Sequence, residues 1–516
     1  MKKLIYLFLI VILSGCHEEF LTEEFYSELG SNTFPRSEKQ AELAVNAAYH
    51  RMEYILWGTK YIASAQMPTP QTMYKSRELS GDDVWVYDVF AFDANHEKTW
   101  FLWRDHFKAV RSCNDAIEQV PNAPLNEETM NRYIAEAKFI RALCYFNLVR
   151  LFGEVPIIDE AQTLQDDIYK SRSSLEEVYE FIISDLTSAA EDLPTRTDYI
   201  EMGIPLGRAS KYAAIGLLSK VYLTMAGYPL NDLSKLQLAQ SFSEEVMNSN
   251  DEHFLLPSYP DVFDWKNDNN EEILFAFQYE GIRHGEPWAH HMFLPPFTNQ
   301  WSYKTQAGWV GYFAVEPEFA LYYLDHSIVG GDTSIRAKHN LILEWTDTKG
   351  NNWNFLGGPG SRAYSGKWRA ADFSEMNLMQ RLPNDYPYLR FADILLINSE
   401  AINELEGPTE QALRGINMVR ERAGLPLYNT SMTQEELREA IFIERDLELC
   451  FESHVLYDYR RRGYEVYKDT MENYYNPELG YQPDNFSITM EPRHMLYPIP
   501  AGEVKSNPNL QQNTGY

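Results

Sequence analysis

The segment RYIAEAKFIRALCYFNLVRLFG, residues 132–153, decides the fold class of this 516-residue chain. Its apolar side chains recur at spacings of three and four, which predicts an α-helix that ends at Gly153. One apolar stripe consists of Tyr133, Ala137, Ile140, Cys144, Leu148 and Leu151, and a second consists of Ala135, Phe139, Leu143, Phe146 and Val149. Because two stripes need cover on two sides, this helix is predicted to lie inside a stack of helices.

The segments that follow continue the helical pattern. A capping box formed by Ser174 and Glu177 begins the next predicted helix, which stops before Pro194. Residues 208–227 then form a third helix whose small side chains permit close packing, and Gly227 is placed to end it. Helix pairs with this spacing of small and aromatic residues are typical of tetratricopeptide (TPR) repeats.

A second helical block lies near the carboxyl end. Segments 388–407 and 409–426 are predicted to form another helix pair, which Gly424 closes. One long final helix is predicted to run from a capping box at Thr433 to the arginine run at 460–462. These arginines complement the negative end of that helix, an interpretation that we favour over an anion-binding site.

The amino terminus carries a secretory signal. Lys2 and Lys3 precede the apolar run 4–13, and the tetrapeptide Leu-Ser-Gly-Cys ends at Cys16. An apolar run of this length spans about 15 Å as a helix, half of the roughly 30 Å hydrocarbon core of a bilayer, so it does not cross a membrane. The pattern resembles the bacterial lipobox, which implies cleavage before a lipid-modified Cys16. A buried or disulfide-bonded cysteine is the alternative.

Composition restricts the partners of the mature chain. The formal net charge is -30 at pH 7, and loss of the two lysines with the signal peptide makes it -32. Such a charge disfavours nucleic acid and anionic lipid surfaces as partners but leaves neutral ligands open. Beyond the anchor cysteine the sequence has an odd set of cysteines in apolar helical patterns, which predicts free buried thiols: Cys113, Cys144 and Cys450.

Six segments, from the first long helix to the last residue, together resemble the SusD/RagB family. They are RALCYFNLVRLFGEVPII (141–158), ASKYAAIGLLSKVYLTMAG (209–227), YLRFADILLINSEAINEL (388–405), INMVRERAGLP (416–426), IERDLELCFESHVLYDYRRRG (443–463) and LYPIPAGEVKSNPNLQQNTGY (496–516). The resemblance implies a mainly α fold, a TPR-containing helical superhelix, with a loop-rich aromatic ligand-binding region.

The same resemblance implies a function. It predicts a non-catalytic outer-membrane lipoprotein, without a cofactor, that captures glycan and acts as a lid on a SusC-like TonB-dependent transporter. Peptide or another nutrient is the alternative ligand. In lipoproteins of the Bacteroidetes, acids directly after the anchor resemble an export signal for the cell surface. Glu18 and Glu19 therefore predict that this chain faces the cell exterior, a solvated tether without such a signal being the alternative.

We expect five parts along the chain. They are a lipoprotein signal peptide at 1–15, a lipidated tether at 16–35, an N-terminal TPR-like helical part at 36–250, a loop-rich ligand-binding part at 251–384, and a C-terminal helical part with the closing motif at 385–516.

The loop-rich part contains the main candidates for ligand contact. Sugars present apolar C–H faces flanked by hydroxyl groups, so they bind to exposed aromatic rings with polar groups at the rim. Six of the eleven tryptophans fall between residues 288 and 368, and ordinary core packing is the alternative role for most of these rings. The candidates chosen from this stretch are Trp288, Trp301, Tyr303, Trp309 and Trp353.

A second candidate region precedes the helix that begins near Trp100. In the SusD/RagB family, the corresponding region contributes aromatic and polar groups to the glycan site. The resemblance carries this role to Trp85, Asn95 and His96, with packing or loop capping as the alternative.

The main rival interpretation is a secreted glycoside hydrolase, which would use two carboxylates. The chain has 75 acidic residues, and no pair stands out by its spacing. The sequence contains no HExxH, GxSxG or Walker-type motif, so we predict no catalytic residue. No metal site is predicted either, because His290 and His291 lack a third ligand, and DWKNDNNEE has Lys266 and Asn269 where a calcium loop needs oxygen and Gly.

Overall fold

The fold is built mainly from α-helices. The computed structural model describes residues 35–56, 60–74, 84–161, 169–249, 252–279, 293–295, 313–357, 362–369, 384–473 and 488–516. Within these ranges the helices are α1 (Glu38–Leu56), α2 (Lys60–Gln66), α3 (Trp85–Asp88), α4 (Glu97–Gln119), α5 (Glu127–Phe152), α6 (Leu175–Asp192), α7 (Arg196–Met202), α8 (Lys211–Ala226), α9 (Leu236–Met247), α10 (Pro317–Asp325), α11 (Ile335–Asn340), α12 (Phe391–Glu406), α13 (Glu410–Ala423), α14 (Gln434–Glu448), α15 (Val455–Arg461), α16 (Tyr464–Asn473) and α17 (Ala501–Ser506).

The strands are short and pair in twos. They are β1 (Thr72–Tyr74), β2 (Ile273–Phe277), β3 (Phe313–Val315), β4 (Ile328–Val329), β5 (Asp332–Thr333), β6 (Leu341–Ile342), β7 (Glu344–Thr346), β8 (Asn352–Asn354), β9 (Tyr364–Ser365) and β10 (Tyr386–Arg390). The pairs are all antiparallel: β1 with β3, β2 with β10, β4 with β5, β6 with β9, and β7 with β8.

The long helices form a continuous stack. Helix α1 packs on α4, α4 on α5, α5 on α6, α6 on α8, α8 on α9, α9 on α12, and α12 on both α13 and α14. Both predicted stripes of α5 are buried, and α4 and α6 both pack against this helix. The mainly α prediction and the interior position of this helix are confirmed.

Several predicted helix ends are confirmed as well. Gly153 ends α5 with φ of 76°, a conformation that glycine adopts without strain. The capping box of Ser174 and Glu177 begins α6, and a second one at Thr433 begins α14. Gly424 ends α13 in the left-handed conformation. The three predicted free thiols are also found buried: Cys113, Cys144 and Cys450.

The prediction of one long final helix is wrong. Helix α14 ends at Glu448, and α15 starts again only at Val455. In between, Phe451 and Ser453 adopt left-handed backbone conformations with φ of 63° and 62°. The break directs Glu452 towards Lys367 and Arg390, to which it forms ion pairs of 2.7 Å. Tertiary ion pairing therefore overrides the local helical pattern.

These ion pairs belong to a buried charge network around α14. Glu444, Glu448 and Glu452 follow one another at intervals of four, and their side chains are fully buried. Arg390 lies at the centre, because its guanidinium pairs with Glu448 at 2.8 Å, with Glu452 at 2.7 Å and with Glu272 at 2.9 Å. The other cations of the network are Arg336, Lys367, Arg420 and Arg422. The network joins α11, α13, α14 and β10.

Candidate functional site

Strands β7 and β8 form a hairpin with a tryptophan pair on one face. Trp345 and Trp353 lie directly opposite each other in the strand register. Their rings stack with centroids 5.9 Å apart and planes 9° from parallel. Trp345 is 7% exposed and Trp353 is 42% exposed. The buried ring thus supports the second ring, which presents an aromatic surface to solvent.

The turn of this hairpin fixes the exposed ring. The carboxylate of Asp347 accepts hydrogen bonds from the backbone N–H groups of Lys349 and Asn351. It also accepts from the Asn351 side chain at 2.8 Å and from Nε1 of Trp353 at 3.3 Å. The Asn351 side-chain hydrogen bond is the largest of the effects that lower the pKa of Asp347 to about 2. The indole of Trp353 is therefore oriented by the turn and by its stacking partner.

A small hydrophobic cluster lies beneath the hairpin. It contains Met73, Leu294, Ala314, Ile342, Trp345 and Tyr364. Within it, Tyr364 meets the Trp345 ring edge-on with centroids 5.2 Å apart. The cluster unites β1, β3, β6, β7 and β9 and forms a rigid base for the exposed tryptophan.

Four of the predicted ligand-binding residues lie outside the described residues: Trp288, Trp301, Tyr303 and Trp309. The described chain on either side of residues 296–312 does meet, because the rings of Phe293 and Phe313 lie 5.2 Å apart. Leu294, next to Phe293 in the first flank, belongs to the cluster beneath the hairpin. The described residues that flank 296–312 therefore lie together beside the base that carries Trp353.

The second predicted group lies around the start of α4. Trp85 is partly buried in α3 and packs against the main core. The His96 ring nitrogen Nδ1 lies 3.0 Å from the Thr99 hydroxyl, and the ring meets Tyr87 edge-on at 5.0 Å. Asn95 is exposed, and its backbone N–H donates to the Asp93 carboxylate. Of the three predicted residues, Asn95 alone has an exposed side chain.

Strand β1 connects the two groups. The backbone N–H of Tyr74, the last residue of β1, donates to the Asp88 carboxylate at the end of α3. On its other side β1 pairs with β3. No ring contact or hydrogen bond between described residues joins Trp85, Asn95 or His96 to Trp353. Strand β1 thus lies between α3 and β3, and the structure does not bring the side chains of the two groups together.

The closing motif at 496–516 holds the segment before α4 in place. The Ala501 N–H donates to the Ala94 carbonyl at 2.8 Å, and the indole of Trp100 donates to Glu503 at 3.3 Å. The Tyr497 ring meets Tyr87 edge-on at 5.4 Å. This motif is therefore part of the framework that positions the candidate residues.

Two carboxyl groups with raised pKa values, Glu53 and Asp385, lie near the end of the β2–β10 pair. Burial, followed by the charge of Asp385, raises the pKa of Glu53 to about 7. Burial also raises the pKa of Asp385 to about 7. Asp385 accepts the backbone N–H of Tyr279 at 2.8 Å, which fixes the chain where β2 ends. Within the described ranges, no cluster of three or more His, Cys, Asp or Glu side chains is suited to hold a metal ion.

Comparison with known proteins decides the family. A model of the SusD family matches residues 345–516, and a model described as starch-binding, associating with the outer membrane, matches residues 19–223. The chain belongs to the SusD family. The family is described as starch-binding and associated with the outer membrane. Neither of the two model descriptions names an enzymatic activity.

Individual members of the SusD family are similar over almost the whole chain. SusD-like protein P2 of Formosa agariphila is 28% identical over 536 residues, which cover 100% of this chain and 99% of the relative. A SusD superfamily structure from Parabacteroides distasonis has a TM-score of 0.77 at 25% identity and covers 95% of this chain and 100% of that one. A laminarin-binding SusD-like protein has a TM-score of 0.72 at 23% identity, covering 93% and 100%. These likenesses confirm the predicted SusD type of fold.

The anchor predicted for this SusD family member, Cys16, lies outside the described residues. No helix in the described part of the chain combines the length and apolarity needed to cross a membrane.

Sequence reasoning missed two residues of the hairpin. Trp345 supports Trp353, and Asp347 orients it, but neither was chosen as a site residue. The signal was present in EWTDTKGNNWN (344–354), where two tryptophans alternate with polar residues around an Asp and Gly turn. Of the three described tryptophans in the 288–368 stretch, Trp345 and Trp368 are buried and Trp353 is exposed.

Proposed function

We propose that this chain is a cell-surface lipoprotein that binds oligosaccharide without catalysing its breakdown and delivers it to a SusC-like TonB-dependent outer-membrane transporter. The glycan-binding part of the proposal is carried by Trp353, a solvent-facing indole held flat against a buried one. The family description as starch-binding and the laminarin-binding relative support a glycan as ligand. Because starch and laminarin are different glucans, they leave the glycan of this chain open.

The chemistry of the hairpin suits a sugar ring. An exposed indole offers its face to the apolar C–H groups of a sugar, and nearby polar groups bind the hydroxyls. On the hairpin these polar groups are the turn residues Asp347 and Asn351, because Glu344, Asn352 and Asn354 alternate with the tryptophans and lie on the other face. Asp347 accepts from the Asn351 side chain at 2.8 Å and from the Trp353 indole at 3.3 Å, so these groups are ordered before a ligand arrives.

The other proposed contacts come from two further parts of the chain. Residues 296–312 contain Trp301, Tyr303 and Trp309, and Trp288 precedes them in the sequence. We place Trp301, Tyr303 and Trp309 at the glycan site because Phe293 and Phe313 hold the flanks of that stretch beside the base of Trp353, and we add Trp288 because it lies five residues before Phe293. Asn95 and His96 are proposed to contact the ligand from the α4 side, with Trp85 as a packing residue beneath them. This assigns ligand binding chiefly to the part of the chain at 251–384.

Anchoring through Cys16 completes the proposed role. A chain held in the outer membrane by its lipid, with Glu18 and Glu19 next to the anchor, would keep the glycan site beside the transporter at the cell surface. Cys16→Ala is expected to give a protein that no longer incorporates labelled palmitate and is lost from the outer-membrane fraction. Wild-type protein isolated without lipid from its native host would contradict the anchor.

Binding without turnover is tested with purified mature protein. Maltoheptaose, laminariheptaose and a xyloglucan oligosaccharide are titrated by calorimetry, and the same mixtures are assayed for new reducing ends. We expect heat of binding with one of these glucans and no release of reducing sugar. Release that one Asp or Glu substitution abolishes would instead support the hydrolase alternative. Binding of a peptide library but of none of these glucans would support peptide uptake.

A further inference from the structure

A cavity lies apart from the tryptophan hairpin, in the helical part of the fold. It has a volume of about 680 Å³ and lies between α5, α6, α8, α15 and the segment 491–515. Small-molecule sites occupy about 300 to 1,000 Å³, so the cavity is large enough for a monosaccharide or a molecule of similar size. Five arginines line it: Arg150, Arg172, Arg460, Arg461 and Arg493.

Two of these arginines are neutralised by close acids. Arg461 pairs with Glu400 and with Asp458. Arg493 pairs with Glu491 at 2.9 Å. Both guanidinium groups therefore serve the packing of the helices and of the closing segment.

Arg150 and Arg460 have no such compensation. Neither lies within ion-pairing distance of a carboxylate among the described residues, although they are only 8% and 6% exposed. Arg150 donates through Nε to the Phe146 carbonyl and through Nη2 to Asn147 and Tyr388, which leaves Nη1 without a partner in the described part of the chain. Arg460 donates through both Nη atoms to backbone carbonyls, and its Nε has no partner there either.

Arg172 adds a third positive charge at the cavity. Its nearest carboxylate, on Glu154, is 3.9 Å away. Its hydrogen bonds go to the backbone carbonyls of Glu154 and Gln511 and to the Asn513 side chain. Three guanidinium groups thus face one cavity with one distant acid among them, in a chain whose net charge is -30.

Buried charges without partners are costly, and an anion in the cavity would offset that cost. Aromatic faces already stabilise Arg150, whose guanidinium carbon lies 3.8 Å from the ring centres of both Phe146 and Tyr457. Such contacts leave the net charge in place, because a phenyl or phenol ring is neutral. Guanidinium groups bind carboxylate, sulfate and phosphate strongly, through two parallel hydrogen bonds.

We propose that this cavity binds a small ligand bearing a carboxylate or a sulfate group, of the class of acidic monosaccharides. Tyr179 and Tyr228 supply aromatic surface in the lining. The site is independent of the tryptophan hairpin and does not rest on the function proposed for it. The proposal gives Arg460 a ligand-binding role in addition to the helix-end role that the sequence indicates for the arginines at 460–462.

The test titrates the folded mature protein with glucuronate, glucose 6-sulfate and glucose. At least one acidic sugar is expected to bind tenfold more tightly than glucose, and the tighter of the two identifies the oxyanion that the cavity takes. Raising the salt concentration should weaken that binding. The proposal would be overturned if glucose bound as tightly as the acidic sugars. It would also be overturned if neither acidic sugar bound to protein that still shows a cooperative unfolding transition.

Two variants, each with a control variant, locate the binding. Arg172→Gln removes one cavity charge and should weaken the acidic sugar at least fivefold, whereas Arg438→Gln, at a partly exposed pair with Glu404, should not change it. Thr514 lines the cavity with an exposed side chain, so Thr514→Glu should abolish acid binding while the neutral Thr514→Gln retains it. Unchanged acid affinity in both Arg172→Gln and Thr514→Glu would refute the site. Neutral-glucan binding at the hairpin should survive in all four variants, which separates this proposal from the preceding one.

Discussion

The network around α14 and the hairpin of β7 and β8 both combine charged or polar groups with aromatic rings, but they use them differently. In the network each carboxylate of Glu444, Glu448 and Glu452 meets a buried cation inside the protein. In the hairpin, Asp347 fixes a ring that faces solvent. Groups whose partners are all internal stabilise the fold, whereas an ordered ring with an open face is free to bind a ligand.

The largest expected effect is on the network side. Arg390→Met removes the central cation and leaves three buried carboxylates without it, so we expect a loss of about 3 to 5 kcal/mol in the free energy of unfolding. Urea denaturation measures this loss. Arg438→Met, at a partly exposed ion pair with Glu404, is the matched control and should cost at most about 1 kcal/mol. Similar losses in the two variants would show that burial does not set the strength of these pairs.

A pH effect is expected from the acids at the end of β2 and β10. The pKa of Glu53 is raised to about 7 in the fold, so the folded state binds its proton more tightly than the unfolded state does. The stability it contributes is therefore present below pH 4.5 and is lost as the pH rises to about 7. Glu53→Gln should remove this loss, with a gain over wild type on the order of 1 to 3 kcal/mol at pH 8 and little gain at pH 4.5. A gain that is equal at both pH values would contradict the shifted pKa.

A smaller effect is expected at the start of α6. Ser174→Ala removes the side chain that accepts the backbone N–H of Glu177, which should cost about 1 kcal/mol of stability. Ser241→Ala, on the exposed face of α9, is the control and should cost less. Thermal unfolding of both variants checks the difference. If Ser241→Ala were the more damaging change, the capping box would not be what stabilises this end.

The comparison also explains how far the sequence can predict this molecule. The helices of the stack follow local rules, since Ser174, Gly153 and the two stripes of α5 act within their own segments. The break between α14 and α15 could not be predicted, because it depends on Lys367 and Arg390, which are distant in the sequence. At the site, the sequence points to Trp353 only because it lies in a stretch rich in tryptophan. Its support by Trp345 and Asp347 needs the strand register, and the unpaired charge of Arg150 and Arg460 needs the packing of four helices.

The central claim is that Trp353 binds glycan and does not stabilise the fold. The most direct measurement determines the free energy of unfolding and the affinity for the glucan that wild type binds, in Trp353→Ala and in Trp368→Ala. In the native protein the Trp368 side chain is 1% exposed. Trp353→Ala should lose about 1 to 3 kcal/mol of affinity with little change in stability. Trp368→Ala should lose about 3 to 5 kcal/mol of stability and keep its affinity while folded. Full affinity in Trp353→Ala, or a stability loss as large as that of Trp368→Ala, would contradict the claim.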